Sequence, residues 1–223
     1  MHFTSTEPKN SSPVRKDAAG KRPSSRRTYR WRVVDIVTAS VIGVASGVIF
    51  WAWGLAYGPI SGALALTPGL GGLLAGGWLF AGVLGGLIIR KPGAAIYTEL
   101  VAAAVSALIG TVWGFETLIW GVIQGAGAEI VFALFFYRSF RIWVALLAGA
   151  GAGVAVGFLD TTFTSYAALD AGAKLTYFFS AVVSGTVVAG LLSWFAVRGL
   201  AATGALSRFA SGNQARTVPG RAD

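Results

Sequence analysis

The chain has 223 residues, of which 55% are hydrophobic and only 12% are charged, and its mean hydropathy is +0.67. Soluble domains carry about 25% charged residues, so this composition excludes an ordinary soluble protein and indicates a polytopic membrane protein. The absence of Cys excludes disulfides and thiolate chemistry. The single histidine, His2, lies in a polar segment and leaves none for a metal site or a catalytic dyad inside the membrane.

Much of the formal net charge of +9 comes from the two ends of the chain. Residues 1–32 contain nine of the 18 Lys and Arg, mixed with Ser, Pro and Gly. We interpret residues 1–32 as a disordered basic tail and residues 198–223 as a flexible basic tail. Neither has the interleaved aromatic residues of a single-strand binder, so the pattern favours contact with anionic lipid over nucleic acid.

Six apolar segments between the tails are long enough to cross a bilayer. A spanning helix needs about 20 mostly apolar residues. The sequence therefore predicts an all-α membrane domain at residues 33–197 with six transmembrane helices. The predicted spans are residues 33–54, 70–89, 94–113, 117–137, 142–159 and 175–197.

The charged loops predict the orientation of these spans. Arg90 and Lys91 follow the second span, and Arg138 and Arg141 follow the fourth. The three loops at the other end contain only Lys174 among the cations. Because cytoplasmic loops are enriched in Lys and Arg, both termini are predicted to be cytoplasmic.

Polar residues inside the third and fourth spans are the main candidates for function. An ionisable group at the bilayer centre costs about 2.5–3.5 kcal/mol on insertion scales and usually faces a partner, a cavity or a substrate. Gln124 shares a helix face with Trp120, and Glu116 lies one turn above them, whereas Glu129 is turned away from this face. Glu99 and Glu129 can equally be structural, and the Gln124 amide can equally form an interhelical hydrogen bond.

Aromatic residues gather near the predicted outer ends of the spans. Aromatic rings attract cations, carboxylates accept hydrogen bonds from amino groups, and an amide both donates and accepts. This combination predicts a site for a flat, cationic, hydrogen-bonding ligand, with the loop at residues 54–67 as a lid. The predicted substrate-binding residues are Trp53, Tyr57, Glu99, Trp113, Glu116, Trp120, Gln124 and Glu129.

Other features of the sequence receive simpler interpretations. Asp160 and Asp170 are interpreted as solvent-exposed loop residues. Ala39, Gly43 and Gly47 form a small-residue ridge on the first span, which serves internal packing or, if it faces lipid, the docking of another membrane protein.

No phosphate-binding loop of the Gly-x-x-x-x-Gly-Lys-Ser/Thr type is present. We therefore predict no catalytic residues, no metal site and no cofactor, and we do not expect an enzyme.

The chain resembles the YkoE-type S components of energy-coupling factor (ECF) transporters, which are associated with thiamine or its hydroxymethylpyrimidine precursor. The resemblance covers about residues 30–198. It is carried by residues 31–35, 47–53, 57–59, 92–95 with Glu99, and 124–129.

This resemblance implies a mechanism and a location in the plasma membrane. An S component captures its vitamin from outside and docks through its first helix onto a transmembrane coupling protein. Two cytoplasmic ATPases then drive toppling of the S component and release of the vitamin inside. The resemblance implies the docking role for Ala39, Gly43 and Gly47, and a ligand role for residues 124–129 and Glu99.

Two alternatives stay open at this point. One is a membrane scaffold without transport activity, in which the carboxylates are structural. The other is a proton-coupled carrier that works alone through Glu99 and Glu129. The sequence also leaves open whether the ligand is thiamine or its pyrimidine half, because a thiazolium needs a cation site and a pyrimidine needs mainly stacking and edge hydrogen bonds.

Overall fold

The computed structural model describes residues 29–64, 66–67 and 69–212, and all the regular elements in these residues are helical. Residues 1–28 and 213–223, which make up most of the two predicted tails, lie outside the described residues. Short 3-10 helices precede α2, α4 and α6. The main helices are α1 (Val33–Leu64), α2 (Gly76–Ile89), α3 (Ala94–Ile109), α4 (Thr117–Leu134), α5 (Ile142–Phe163) and α6 (Ala171–Ala202).

Each predicted span corresponds to one of these helices. Five helical segments of the described chain are long and apolar enough to cross a membrane. The third helix, α3, has 16 residues and is therefore about 24 Å long, which is shorter than the hydrocarbon core of a bilayer at about 30 Å. The count of six spans and the cytoplasmic position of the termini stay predictions.

The first helix is longer than predicted. It runs from Val33 to Leu64 and contains Pro59, so most of the loop predicted as a lid at residues 54–67 is helical. A Cβ atom added at Gly58 or Gly62 would meet no atom within 4 Å. The last turns of α1 are therefore only loosely packed on that side.

The second helix is the centre of the bundle. Leu79, Val83, Leu87 and Ile88 on α2 are almost fully buried. By contrast, α1 carries exposed apolar side chains such as Val41 along its length. An apolar outer surface around a buried apolar core is the arrangement expected when lipid takes the place of water.

The small-residue ridge of α1 packs inside the molecule, against α3. Ala39 is 0% exposed. A Cβ atom on Gly43 would lie 2.7 Å from the Val101 Cβ, and one on Gly47 would lie 2.6 Å from the Ala102 carbonyl oxygen. This corrects the prediction that the ridge docks a partner, because glycine here serves the close approach of two helices of the same chain.

The last helix and the residues after it extend the packed structure beyond the predicted end of the sixth span. The last helix, α6, contains a π-helical segment at Gly185–Leu191 and continues to Ala202. After it, the side chains of Leu206 and Phe209 are buried, and the Ser211 hydroxyl donates to the Ile88 carbonyl oxygen at 3.3 Å. Residues 203–212 of the predicted second tail therefore pack against the end of α2.

Candidate functional site

A cavity of about 460 Å³ lies at the end of the bundle where α4 begins and α5 ends. We call it the pocket, and this end of the molecule the pocket end. Its wall is built from all six helices and the 3-10 segments between them. The aromatic and polar residues that line it are Phe50, Tyr57, Trp78, Trp113, Glu116, Thr117, Trp120, Gln124, Asp160, Phe163, Thr164, Ser165, Tyr166 and Tyr177.

One wall of the pocket is a cluster of three aromatic rings. The centroids of Tyr57, Trp78 and Trp113 lie 5.1 to 5.6 Å from one another, and each pair meets edge to face. The Trp78 indole also donates to the Phe50 carbonyl oxygen at 3.2 Å. Edge-to-face pairs contribute about 0.5–1.5 kcal/mol beyond the area they bury, so this wall is a preformed surface for a flat ring.

The acid at the centre of the pocket is Asp160, which the sequence analysis placed in a solvent-exposed loop. That prediction was wrong, because α5 continues to Phe163 and Asp160 is only 7% exposed. Its Oδ1 accepts from the Trp120 indole at 2.8 Å, and its Oδ2 accepts from the Tyr177 hydroxyl at 2.5 Å. The carboxyl group of Asp160 thus joins α4, α5 and α6.

The sequence contains a signal that identifies this acid. Val156, Asp160 and Phe163 are spaced by four and three residues, which is the spacing of one helix face, and all three line the pocket. The predicted fifth span ended at residue 159 and therefore did not include this face. Trp78, Tyr166 and Tyr177 were also missed, because an aromatic residue in an apolar span has no local mark that separates a wall of a cavity from a core.

The pocket is electronegative. Glu116 and Asp160 line it, and no Lys, Arg or His of the described residues does. The donors that contact Asp160 are neutral, and a buried carboxylate without a cation partner is costly. A cationic ligand would therefore gain electrostatic energy on entering.

A second pair of hydroxyl groups closes one side of the pocket. The hydroxyls of Tyr57 and Tyr166 are 2.9 Å apart, and the Tyr166 ring lies 4.2 Å from the Tyr177 ring. Burial raises the pKa of Tyr166, and the hydrogen bond with Tyr57 adds to the rise. The Tyr166 hydroxyl therefore stays neutral and keeps its proton for hydrogen bonding.

Two polar groups of the pocket are open to a ligand. Gln124 is 7% exposed, and its amide forms no hydrogen bond with another described residue. The Thr117 hydroxyl is buried and likewise has no partner among the described residues. A buried polar group without a partner costs about 1–3 kcal/mol, so a ligand that satisfies these groups gains affinity.

The structure brings together five of the eight predicted substrate-binding residues and separates the other three. Tyr57, Trp113, Glu116, Trp120 and Gln124 line the pocket, whereas Trp53, Glu99 and Glu129 do not. The Trp53 indole donates to the Leu74 carbonyl oxygen at 3.0 Å and packs over Gly77, where an added Cβ would lie 2.2 Å from its Nε1 atom. These contacts of Trp53 with Leu74 and Gly77 are structural.

Glu129 caps the beginning of α3. Its carboxylate accepts from the Gly93 and Ala95 backbone N–H groups at 2.6 and 2.8 Å. The Tyr137 hydroxyl donates to the same carboxylate at 2.6 Å, and burial together with this bond raises the pKa of Tyr137. An acid at a helix N-terminus satisfies free N–H groups and interacts favourably with the helix dipole. The alternative in which Glu129 fixes neighbouring helices matches this geometry.

Glu99 on α3 lies beside glycines of α2 and α4. It is 1% exposed, and its Oε2 accepts from the Gly82 backbone N–H at 2.5 Å. A Cβ atom added at Gly125 would lie 3.1 Å from the Glu99 Cβ. The other oxygen, Oε1, has no partner among the described residues. Glu99 does not line the pocket. Ala103, one turn further along α3, does.

Comparison with known proteins gives three matches. Residues 34–155 match the family model described as "ABC-type cobalt transport system, permease component". The chain is 34% identical over 195 residues to the putative HMP/thiamine permease protein YkoE of Bacillus subtilis (strain 168), a match that covers 86% of this chain and 96% of YkoE. It also superimposes with a TM-score of 0.72 on the crystal structure of an S-component of an ECF transporter, at 30% identity over 83% of this chain and 93% of that one.

Proposed function

This chain belongs to the YkoE-type family of ECF transporter S components, multi-pass proteins of the plasma membrane, and on that premise we propose that it captures thiamine or its hydroxymethylpyrimidine precursor from outside the cell. The observation that carries this proposal is the pocket, in which an aromatic wall, a free amide and an acid without a cation partner face one cavity. As a member of a transporter family, the protein acts by binding its cargo.

Each part of the pocket has a counterpart in such a ligand. An aminopyrimidine is flat and fits against the wall of Tyr57, Trp78 and Trp113. Its edge carries both donors and acceptors, which suits the free amide of Gln124. Asp160 and Glu116 supply the negative charge that a thiazolium or a protonated amine requires.

The direction of transport follows from the placement of charge. Among the described residues, every Lys and Arg except Lys174 lies at the end opposite the pocket. By the positive-inside rule that end faces the cytoplasm and the pocket opens outward. As the resemblance to ECF S components implies, energy comes from separate chains, a transmembrane coupling protein and two ATPases, and this sequence has no phosphate-binding loop of its own. The coupling protein meets a surface other than the ridge of Ala39, Gly43 and Gly47, because α3 covers that ridge.

The description of the matching family model names cobalt, which is a different kind of cargo. A cobalt ion needs several nitrogen or oxygen ligands that converge on one point. The described residues contain no group of three or more His, Cys, Asp or Glu side chains able to hold a metal ion. The residues of the pocket thus favour an organic ligand.

Calorimetric titration of the purified protein tests the proposal. We expect saturable binding of thiamine or of hydroxymethylpyrimidine and none of Co²⁺. Trp113→Phe should weaken binding by up to about tenfold, because a phenyl ring has a smaller face for stacking and attracts a cation less strongly than an indole. Trp143→Phe is the matched control, because Trp143 packs on Phe135 away from the pocket and should bind as the wild type does. Absence of binding for both vitamins would overturn the proposal.

Uptake in cells separates the remaining alternatives. An S component imports the vitamin only when the coupling protein and the ATPases are present. A carrier working alone through Glu99 and Glu129 imports it without them. A scaffold imports nothing in either case and binds no vitamin when purified.

A further inference from the structure

A second cavity, of about 600 Å³, lies at the end of the molecule opposite the pocket. Three parts of the chain meet there: residues 29–32 before α1, residues 88–91 at the end of α2, and Phe209 and Ala210 after α6. We call this the basic cavity. It is separate from the pocket and plays no part in the proposed capture of the vitamin.

Four cations line the basic cavity: Arg30, Arg32, Arg90 and Lys91. Asp35, which is 0% exposed, accepts from Arg32 at 2.9 Å and also from the Lys91 ammonium group. Among the described residues, Asp35 is the one carboxylate that contacts these cations, so this part of the described surface carries an excess of positive charge. Arg32 engages Asp35 through two of its five guanidinium N–H groups, and its side chain is 55% exposed, so further donors remain for a ligand.

The rim of the cavity is held in place by hydrogen bonds across the chain. The Lys91 ammonium donates to the Arg30 carbonyl oxygen at 2.8 Å, and the Trp31 indole donates to the Pro92 carbonyl oxygen at 3.0 Å. These bonds join the segment before α1 to the turn after α2. The hydrogen bond to Asp35 raises the pKa of Arg32, so its charge is secure. The positive groups are therefore preorganised.

An apolar surface continues directly from the cavity. Val33, Ile36 and Val37 follow the lining segment on α1 and are 78%, 44% and 54% exposed. Tyr29 and Trp31 also line the cavity, and Tyr and Trp are enriched at membrane interfaces. A molecule with an anionic head and apolar chains matches this order of surfaces.

We propose that the basic cavity binds the phosphate of an anionic phospholipid headgroup, with the acyl chains lying along the exposed face of α1. Charge-assisted bonds from arginine to phosphate supply the recognition. The adjoining apolar face selects a phosphate that carries acyl chains over inorganic phosphate. Basic pockets between transmembrane helices on the cytoplasmic side are known to hold such headgroups.

Native mass spectrometry of the full chain tests this site. The probes are phosphatidylglycerol, phosphatidylcholine and inorganic phosphate, each titrated onto delipidated protein. We expect phosphatidylglycerol to bind at least tenfold more tightly than either of the other two. Arg30→Gln should weaken that binding about fivefold, because one cation near an anionic lipid contributes roughly this factor.

The matched control is Arg138→Gln. It removes the same charge from the same end of the molecule but lies outside the basic cavity, so the affinity for phosphatidylglycerol should change less than twofold. Equal losses in the two variants would mean general attraction to the basic surface and would overturn the site. Inorganic phosphate binding as tightly as phosphatidylglycerol would overturn the lipid as its ligand.

Arg32→Gln extends the test to the preorganised cation. We expect a larger loss of phosphatidylglycerol than with Arg30→Gln, together with an unchanged affinity for thiamine. Thermal unfolding without lipid shows whether the variant is folded. If Arg32→Gln is folded and keeps wild-type affinity for phosphatidylglycerol, the assignment of the cavity is overturned.

Discussion

The buried acids near the two ends of the molecule have different kinds of partner. At the basic end, Asp35 is paired with Arg32 and Lys91, and Glu129 is bound to the free N–H groups of α3. At the pocket end, the described residues that donate to Asp160 are both neutral. An acid whose charge is met inside the protein is structural, whereas an acid that lines a cavity with its charge unmet is available to a ligand. The partners of each acid therefore separate structural acids from candidate ligand-binding acids better than the depth of the acid in the membrane does.

The largest effect is expected for a variant that removes one of the two cation partners of Asp35 at the basic end. Lys91→Met leaves Asp35 buried with one cation partner fewer, and the loss of one partner of a buried ion pair destabilises by about 3 kcal/mol or more. We expect that decrease in the free energy of unfolding, measured by denaturant titration in detergent, with vitamin affinity unchanged in the folded protein. In the double variant Asp35→Asn with Lys91→Met, the two losses should be less than additive. Full additivity would show that the pair is not coupled.

Asp160→Asn tests the unmet acid at the pocket end. The substitution keeps the shape of the side chain and removes its charge, so the affinity for thiamine should fall about 30-fold, at the low end of the effect of truncating a buried charge pair. Hydroxymethylpyrimidine without a fixed charge should lose much less. Calorimetry with both ligands measures the difference. A thiamine affinity that survives the substitution would remove Asp160 from the site.

Glu129→Gln distinguishes a helix cap from a ligand group. The amide keeps one of the two acceptor oxygens and loses the charge, so its interaction with the N-terminus of α3 weakens and the unfolding free energy should fall by about 1–2 kcal/mol. The affinity for thiamine should not change, since Glu129 lies outside the pocket. A loss of vitamin uptake in a variant of normal stability and affinity would instead support the proton-coupled carrier.

The smallest effect is expected for Glu116→Gln at the mouth of the pocket. Glu116 is exposed, and exposed charge pairs contribute about 0–1 kcal/mol. We expect at most a fivefold loss of thiamine affinity, and a loss that shrinks as salt rises because the charge is screened. A loss as large as that of Asp160→Asn would reverse the order of the two acids and place the ligand cation at the mouth.

Individual residues show which parts of the site can be predicted from the sequence. Gln124 and Trp120 were predicted on one helix face, and both line the pocket, since a helix face is set by spacing along a single segment. Trp53 was predicted from its position near the same end of the bundle, yet it packs against α2. Asp160 was interpreted as a loop residue because the predicted helix ended at residue 159, four residues before α5 ends. Helix ends are set by packing and capping that propensity does not specify.

The sequence by itself determined the membrane class, the apolar helices, the segregation of positive charge and the family, because each of these depends on composition or on local order along the chain. Only the tertiary structure decided which partner meets each acid. Pairs such as Lys91 with Asp35 and Trp120 with Asp160 are 56 and 40 residues apart in sequence, and they meet because particular helices lie side by side. Whether a buried charge is structural or open to a ligand is therefore a property of helix packing.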